Sequence, residues 1–435
     1  MQVIEIKEYP LSSLAFPRTN HYYRRRICPL RGHRKQVSFM MKGDTVLAKI
    51  ELIATSAFGI ESIVNRELHN LGYTETRVEN GKISFTANEL GVCRANLWLR
   101  SAERVLLKMG EFKATTFEEL FQHTKALPWE EWLPIDAEFP VEGKSIKSKL
   151  FSVSDCQAIV KKAIVERLKE AYGISWFKET GPKYKIEVAL LKDIVTLTID
   201  TSGAGLHKRG YRRLAGQAPL KETLAAAMIN LSYWKADRAL IDPFCGTGTI
   251  PIEAAMIALN RAPGLKRDFV AETWPNIKEK YWQQAREEAQ DLYVRDQELH
   301  IYGSDIDPKA LQLARAHCED AGLTDKIFFQ RLPAAEVRSR FQYGHLITNP
   351  PYGERLGEEE EVKQLYKDLG ETFKNLETWS LHVITTDKHP ELLIGRRWDK
   401  SRKLYNGRLE CHYYQFFGPK PPRRPRDQEG AEGTP

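Results

Sequence analysis

Asn349-Pro350-Pro351-Tyr352 is the stretch of this 435-residue chain best suited to act on a weak nucleophile. Its two prolines stiffen the loop and direct carbonyls outward instead of into a β-ladder. The Asn349 side-chain oxygen and the Pro350 carbonyl can then both accept hydrogen bonds from one NH2 group. An exocyclic amine conjugated to a purine ring is a poor nucleophile. Two acceptors on its hydrogens would aim its lone pair at a methyl group and stabilise the positive charge developing on nitrogen. Tyr352 offers a flat face for the base. Such chemistry requires no metal and no covalent intermediate.

Two earlier stretches could hold the other reactant. Leu240-Ile241-Asp242-Pro243-Phe244-Cys245-Gly246-Thr247-Gly248-Thr249-Ile250 reads as strand, tight loop and helix, with Pro251 tolerated in the first helical turn. Gly246 and Gly248 let backbone approach a ligand, and the helix start presents unpaired N–H groups. Asp242, at the strand end, faces the crevice where open α/β sheets bind ligands. These residues would hold the amino-acid end of a cofactor. The loop is not a phosphate-binding P-loop, because no Gly-Lys-Ser/Thr follows, and it has two of the three glycines of the dinucleotide fingerprint. Tyr302-Gly303-Ser304-Asp305-Ile306-Asp307-Pro308 puts an acid at the end of a second strand. Asp305 could accept from both ribose hydroxyls, Ile306 could pack on an adenine face, and Asp307 is the expected cap of the helix beginning at Pro308.

These motifs need a parallel sheet behind them. Strands are expected near 239–244, 300–305, 326–332, 344–349 and 380–386, alternating with helices, which describes a doubly wound sheet. A terminal hairpin, Lys403–Tyr405 with Arg408–Phe417, turns at Asn406-Gly407. Upstream, a strand at Leu47–Ala54, a helix at Gly59–Leu71, a hairpin about Asn80-Gly81, a helix at Asn88–Leu99 and a strand at Arg104–Lys113 give a βαββαβ order that resembles a ferredoxin-like unit. In a second α/β block, residues 116–202, helices are expected at Phe117–Ala126 and Asp155–Tyr172. Strands are expected there at Glu138–Glu142, Tyr184–Leu191 and Ile194–Asp200. Lys144, Lys147, Lys149, Lys161, Lys162, Arg167 and Lys169 crowd one helical neighbourhood, either as a solvated face or as a surface that tracks phosphates. The connector from Gly203 to Arg213, which includes Lys208, Arg209 and Arg212, is a linker or a second RNA contact.

Composition sets bounds. A hydrophobic fraction of 42% and a charged fraction of 28% describe a globular protein, and no apolar run approaches a membrane span. The six cysteines are scattered singly with no Cys-x-x-Cys, which argues against zinc or a disulfide framework and fits a reducing cytoplasm. The net charge of +7 is concentrated in residues 1–45, with nine Lys/Arg against three Asp/Glu, whereas residues 46–417 carry 52 of each sign. Any nucleic-acid argument must therefore rest on local patches. Residues 1–45 read as a basic extension or as a start codon assigned too early, the latter preferred, with Met40 or Met41 first. Residues 418–435 have a disordered composition.

The combination Asp242-Pro243-Phe244-Cys245-Gly246-Thr247-Gly248-Thr249 and Asn349-Pro350-Pro351-Tyr352-Gly353-Glu354-Arg355-Leu356-Gly357 resembles the RNA guanine-N2 methyltransferases that carry a THUMP domain. Arg261-Ala262-Pro263-Gly264-Leu265 with Glu272-Thr273-Trp274-Pro275 is similar to the bacterial branch acting on 23S ribosomal RNA. The resemblance runs from about Ala48 to Phe417. It implies an α/β protein with an N-terminal ferredoxin-like domain (46–115), a THUMP RNA-binding domain (116–202) and a doubly wound, Rossmann-like class I methyltransferase domain (203–417). It implies S-adenosylmethionine as methyl donor and no metal. Phe244, Thr249 and Pro219, the last in a stretch that borders the cofactor pocket, join Asp242, Gly246, Gly248, Asp305 and Ile306 as cofactor contacts. It implies 23S rRNA or a large-subunit precursor as partner, a cytoplasmic monomer, and one methylation, since no second methyltransferase domain follows. Many members carry an acid after the third strand that contacts the adenine amino group; here the residues are Arg331-Leu332-Pro333-Ala334-Ala335, which leaves that contact unassigned. Competing readings are guanine-N2 methylation of tRNA, adenine-N6 methylation of DNA, and an RNA-binding assembly factor that no longer catalyses.

Overall fold

A computed structural model describes residues 49–212, 220–352 and 359–422, all within one compact unit, Ala48–Pro435. The basic extension, Cys28, Pro219, the Gly353–Gly357 stretch and most of the expected tail lie outside the described residues.

The N-terminal half begins β1 (Ile50–Ser56), α1 (Glu61–Asn70), β2 (Thr76–Glu79), β3 (Lys82–Ala87), α2 (Glu89–Trp98), β4 (Ala102–Lys113). The strand order β2-β3-β1-β4 is the ferredoxin-like arrangement expected from the sequence. Asn88 caps α2 by accepting from the Gly91 amide at 2.9 Å. The chain continues α3 (Phe117–Lys125), β5 (Val141–Ile146), α4 (Val153–Tyr172), β6 (Ile186–Leu191), β7 (Ile194–Asp200). Thr116 and Glu119 form a reciprocal capping box at the start of α3. The strand expected at Glu138–Glu142 is displaced to Val141–Ile146. Pro140 has no N–H to give a ladder, so the pairing before it shrinks to a single bridge between Glu138 and Lys183. β7 pairs with β4, so both halves of this region share one seven-stranded sheet, β2-β3-β1-β4-β7-β6-β5.

The C-terminal half runs α5 (Glu222–Leu231), β8 (Leu240–Asp242), α6 (Thr249–Ala258), α7 (Glu279–Asp291), β9 (Ile301–Asp305), α8 (Pro308–Ala321), β10 (Ile327–Arg331), β11 (His345–Thr348), α9 (Glu359–Asn375), β12 (Ser380–Thr385), α10 (Glu391–Ile394), β13 (Lys400–Asn406), β14 (Leu409–Phe416). Its sheet has the order β10-β9-β8-β11-β12-β14-β13, parallel until β14 enters antiparallel beside β12. Strand order reverses at β8 and β11, which places a crevice at their C-terminal ends.

The two halves share a core. Trp274 is 2% exposed and stacks on Tyr184 with ring centroids 4.4 Å apart, and its indole N–H donates to the Lys183 carbonyl at 2.9 Å. Arg94 of α2 forms a two-pronged pair with Glu288 of α7, both contacts at 2.8 Å. The connector after β7 is pinned by Arg267, whose guanidinium donates to the carbonyls of Ser202, Ala204, Gly205 and Lys208. Among the described residues no helix is long and apolar enough to cross a membrane, and the five described cysteines are buried.

Candidate active site

The three chemistry-bearing motifs meet at the strand-order reversal. One cavity of about 620 Å³ is lined by Asp242, Phe244, Gly246 and Thr249 from the first motif, Asp305, Ile306 and Asp307 from the second, and Asn349 and Pro351 from the third. The motifs are also bonded to one another. Thr348 donates its hydroxyl to Asp242 Oδ1 at 2.6 Å, joining the ends of β11 and β8. The Gly246 amide donates to Asp305 at 2.9 Å, joining the glycine loop to the end of β9.

Asp242 is 1% exposed, and among the described residues its hydrogen bonds, from Thr348 and the Phe244 amide, fall on Oδ1. Burial, reinforced by the charge of Asp305, outweighs these bonds and pushes its carboxyl up to about 7. A desolvated acid with one oxygen unused by the described residues suits a cationic ligand group. Asp305 accepts from the amides of Gly246 and Asp307, one on each oxygen, and each oxygen keeps a further lone pair for a hydroxyl donor. Ile306 is 58% exposed despite lying on the cavity wall, an uncovered apolar surface suited to a flat ring. Asp307 caps α8 through the Lys309 amide at 2.8 Å, as expected.

The two loop glycines serve different ends. Gly246 has φ +51°, and a Cβ there would project into open space on the cavity side. Gly248 has φ +83° and is absent from the cavity wall. A Cβ there would press on Ala314 and Phe329 at 3.1 Å, so its role is the turn and the packing of α6, not ligand approach. Leu220 does line the cavity, beside the undescribed Pro219.

In the Asn-Pro-Pro-Tyr stretch, Asn349 and Pro351 line the cavity, whereas Pro350 is buried behind them and Tyr352 packs against the core. The Tyr352 hydroxyl donates to Asn349 Oδ1. That bond leaves a further lone pair on the amide oxygen.

Several expected RNA contacts are altered by the structure. Arg209 is not available to RNA: it is 3% exposed, paired with the fully buried Glu253 at 3.2 Å, and donates to the carbonyls of Leu206 and Arg100. Arg212 is half-buried, donating to Thr249 Oγ1 and paired with Glu222 at 3.2 Å. Lys208 is exposed. In the second block, Lys144 pairs with Glu187, Lys161 with Glu179, Arg167 with Glu130 and Lys169 with Glu166. Lys147 and Lys149 are exposed and make no ion pair among the described residues, and Lys162 lies over the Phe121 ring. Beside Lys147 and Lys149 stands Phe151, 82% exposed, which the sequence analysis did not single out. Its signal was available: an aromatic in a lysine-rich loop just ahead of a helix.

Three family models match this chain: the RlmL ferredoxin-like domain over residues 51–106, the THUMP domain over 114–200 and the RMKL-like methyltransferase domain over 209–415. The chain is 48% identical over 384 residues to "Putative RNA methyltransferase YpsC" of Bacillus subtilis (strain 168), covering 88% of this chain and 100% of the relative. It is 35% identical over 377 residues to "Ribosomal RNA large subunit methyltransferase K/L" of Psychromonas ingrahamii, covering 84% of this chain and 50% of the relative. The chain thus spans about half the length of that K/L relative. A solved structure from Listeria monocytogenes, described as "a predicted N6-adenine-specific DNA methylase", is 52% identical with a TM-score of 0.82, covering 86% of this chain and 97% of that one. "SMU.472, a putative methyltransferase complexed with SAH", is 45% identical with a TM-score of 0.82, covering 86% and 99%.

Proposed function

This chain belongs to the family of THUMP-bearing RNA methyltransferases with an RMKL-like catalytic domain, and from that premise we propose that it methylates the exocyclic N2 amine of a guanine in 23S ribosomal RNA. The donor is S-adenosylmethionine, whose demethylated form SAH occupies the SMU.472 relative. The observation that carries the reading is the single cavity that Asp242, Asp305 and Asn349 line together.

The residues present fit that cofactor. Asp242 would face its ammonium group, Asp305 its ribose hydroxyls and Ile306 its purine, while Gly246 leaves room for its amino-acid end. When bound, the cofactor supplies an electrophilic methyl group on a sulfonium centre. The protein's part is to hold the acceptor. Asn349 Oδ1, hydrogen-bonded by Tyr352, accepts from the target amine and draws its lone pair into line. Charge growing on that nitrogen meets a fixed oxygen, with no reorganisation needed during the reaction. The target guanine must be swung out of its stack to arrive there. The THUMP domain would grip flanking RNA through Lys147, Lys149 and Phe151, which combine cations that make no ion pair among the described residues with an exposed ring.

The DNA-methylase description of the Listeria relative favours a second reading, adenine-N6 methylation of DNA, by the same loop chemistry. The test is methyl transfer from labelled S-adenosylmethionine to purified 23S rRNA, total tRNA and duplex DNA, each digested to nucleosides. Label in N2-methylguanosine from 23S rRNA is expected. Label confined to tRNA would replace the substrate, and N6-methyladenine from DNA would overturn the proposal.

A further inference from the structure

The purine end of the cavity has an acid that none of the three motifs supplies. With the ribose on Asp305 and the ring on Ile306, the base lies toward β10, because Leu332 donates to the Asp305 carbonyl and Arg331 to the Ile306 carbonyl. The wall there is Pro333 and Ala334. Neither carries a side-chain acceptor, and the Ala334 carbonyl is already taken by Thr372 at 2.7 Å. An adenine amino group has two hydrogens and, in a closed site, would be left unsatisfied by such a wall.

The bond from Thr372 also fixes the rotation of α9. Leu365, Asp368 and Thr372 fall at i, i+3 and i+7, one helical face. Thr372 touches Ala334, and Leu365 and Asp368 form part of the same cavity wall as Pro333 and Ala334. Of the other carboxylates on that wall, Asp242 serves the switch point, Asp305 the glycine loop and Asp307 the cap of α8. Asp368 accepts from the Gln364 side chain on Oδ1 at 2.8 Å, and its Oδ2 has no protein partner among the described residues.

Resting on the cofactor assignment above, we propose that Asp368 reads the cofactor's purine: its carboxylate accepts from the 6-amino group and selects an aminopurine over an oxopurine. A 6-oxo group would turn an acceptor toward that carboxylate and be rejected.

The test is isothermal titration of the full-length protein with S-adenosylhomocysteine and with its deaminated analogue, S-inosylhomocysteine. The wild type should favour the amino compound by roughly 10- to 100-fold, the range for a hydrogen bond to a charged group. Asp368→Asn can turn its amide to donate to the 6-oxo group, so its ratio should fall to within a few-fold of unity or invert. Asp368→Ala should also lose the preference, without gaining affinity for the oxo compound. Thermal melts of both variants establish that they are folded. Retention of the wild-type ratio in both variants overturns the inference while leaving the cofactor assignment intact. Failure of the wild type to bind S-adenosylhomocysteine defeats the cofactor assignment, and this inference with it.

Discussion

Asp242→Asn should stabilise the ligand-free protein at alkaline pH while weakening cofactor binding. In the fold the carboxyl sits at about 7, against an ordinary value of 3.8, a rise of about three units. At 1.36 kcal/mol per unit, ionising it inside the fold costs about 4 kcal/mol relative to the solvated chain. The sign follows from proton binding. Between the two values the folded state holds the proton more tightly than the unfolded state, so this group's contribution is fully favourable below pH 3.8, declines as pH rises, and levels off above about 7. An asparagine has no such titration, and its single oxygen can still accept from Thr348 and the Phe244 amide, both of which donate to Oδ1. Urea denaturation without cofactor should show the variant more stable than wild type at pH 8 by up to about 4 kcal/mol, the gap closing near pH 4. Binding should move the other way. Loss of a charge-assisted contact to the cofactor ammonium should weaken S-adenosylhomocysteine roughly 10- to 100-fold. Wild-type affinity should rise with pH up to about 7 and then flatten, while the variant shows no such inflection. A stability gap that does not change with pH would refute the reasoning, as would undiminished binding by the variant.

Asn349→Ala removes the side-chain acceptor that faces the cavity, so kcat should fall by roughly 100- to 1,000-fold while RNA affinity in a filter-binding assay stays within a few-fold. Arg209→Ala leaves Glu253 buried and unpaired, so chemical denaturation should report a loss of about 3–5 kcal/mol; the folded fraction should bind RNA normally, against the expectation that Arg209 touches it. Lys147→Glu with Lys149→Glu should weaken RNA binding and flatten its salt dependence, whereas Lys161→Gln, which loses a pair with Glu179, should leave the salt slope unchanged.

The parts of the fold that the sequence made legible are those encoded locally. Asn80-Gly81 and Asn406-Gly407 announce hairpins because few residue pairs accept that turn, and both hairpins are present. Asp307 ahead of Pro308 announces a helix cap for a similar reason. The order of the three site motifs along a βα alternation was enough to bring them to one crevice, because parallel strands with right-handed crossovers leave their C-terminal ends on one edge. What escaped depends on distant partners. A basic run looks the same whether its charges are solvated or paired, and the mate of Arg209 lies on α6, that of Arg167 before β5 and that of Lys144 on β6. The Arg-Ala-Pro-Gly-Leu and Glu-Thr-Trp-Pro stretches look like family marks in the sequence, yet Trp274 joins the two halves of the molecule through Tyr184. Asp368 escaped because helical periodicity sets a face but not what that face is packed against; that needed the bond from Thr372 to Ala334.

The central claim is that one crevice presents a methyl group to an amine held by Asn349. A crystal structure of the protein with S-adenosylmethionine tests it most directly. The account predicts the cofactor ammonium on Asp242, the ribose on Asp305 and the sulfonium methyl facing the Asn349 side-chain oxygen across the gap a base would fill. A cofactor seated in another cavity, or one whose methyl points away from Asn349, would contradict it.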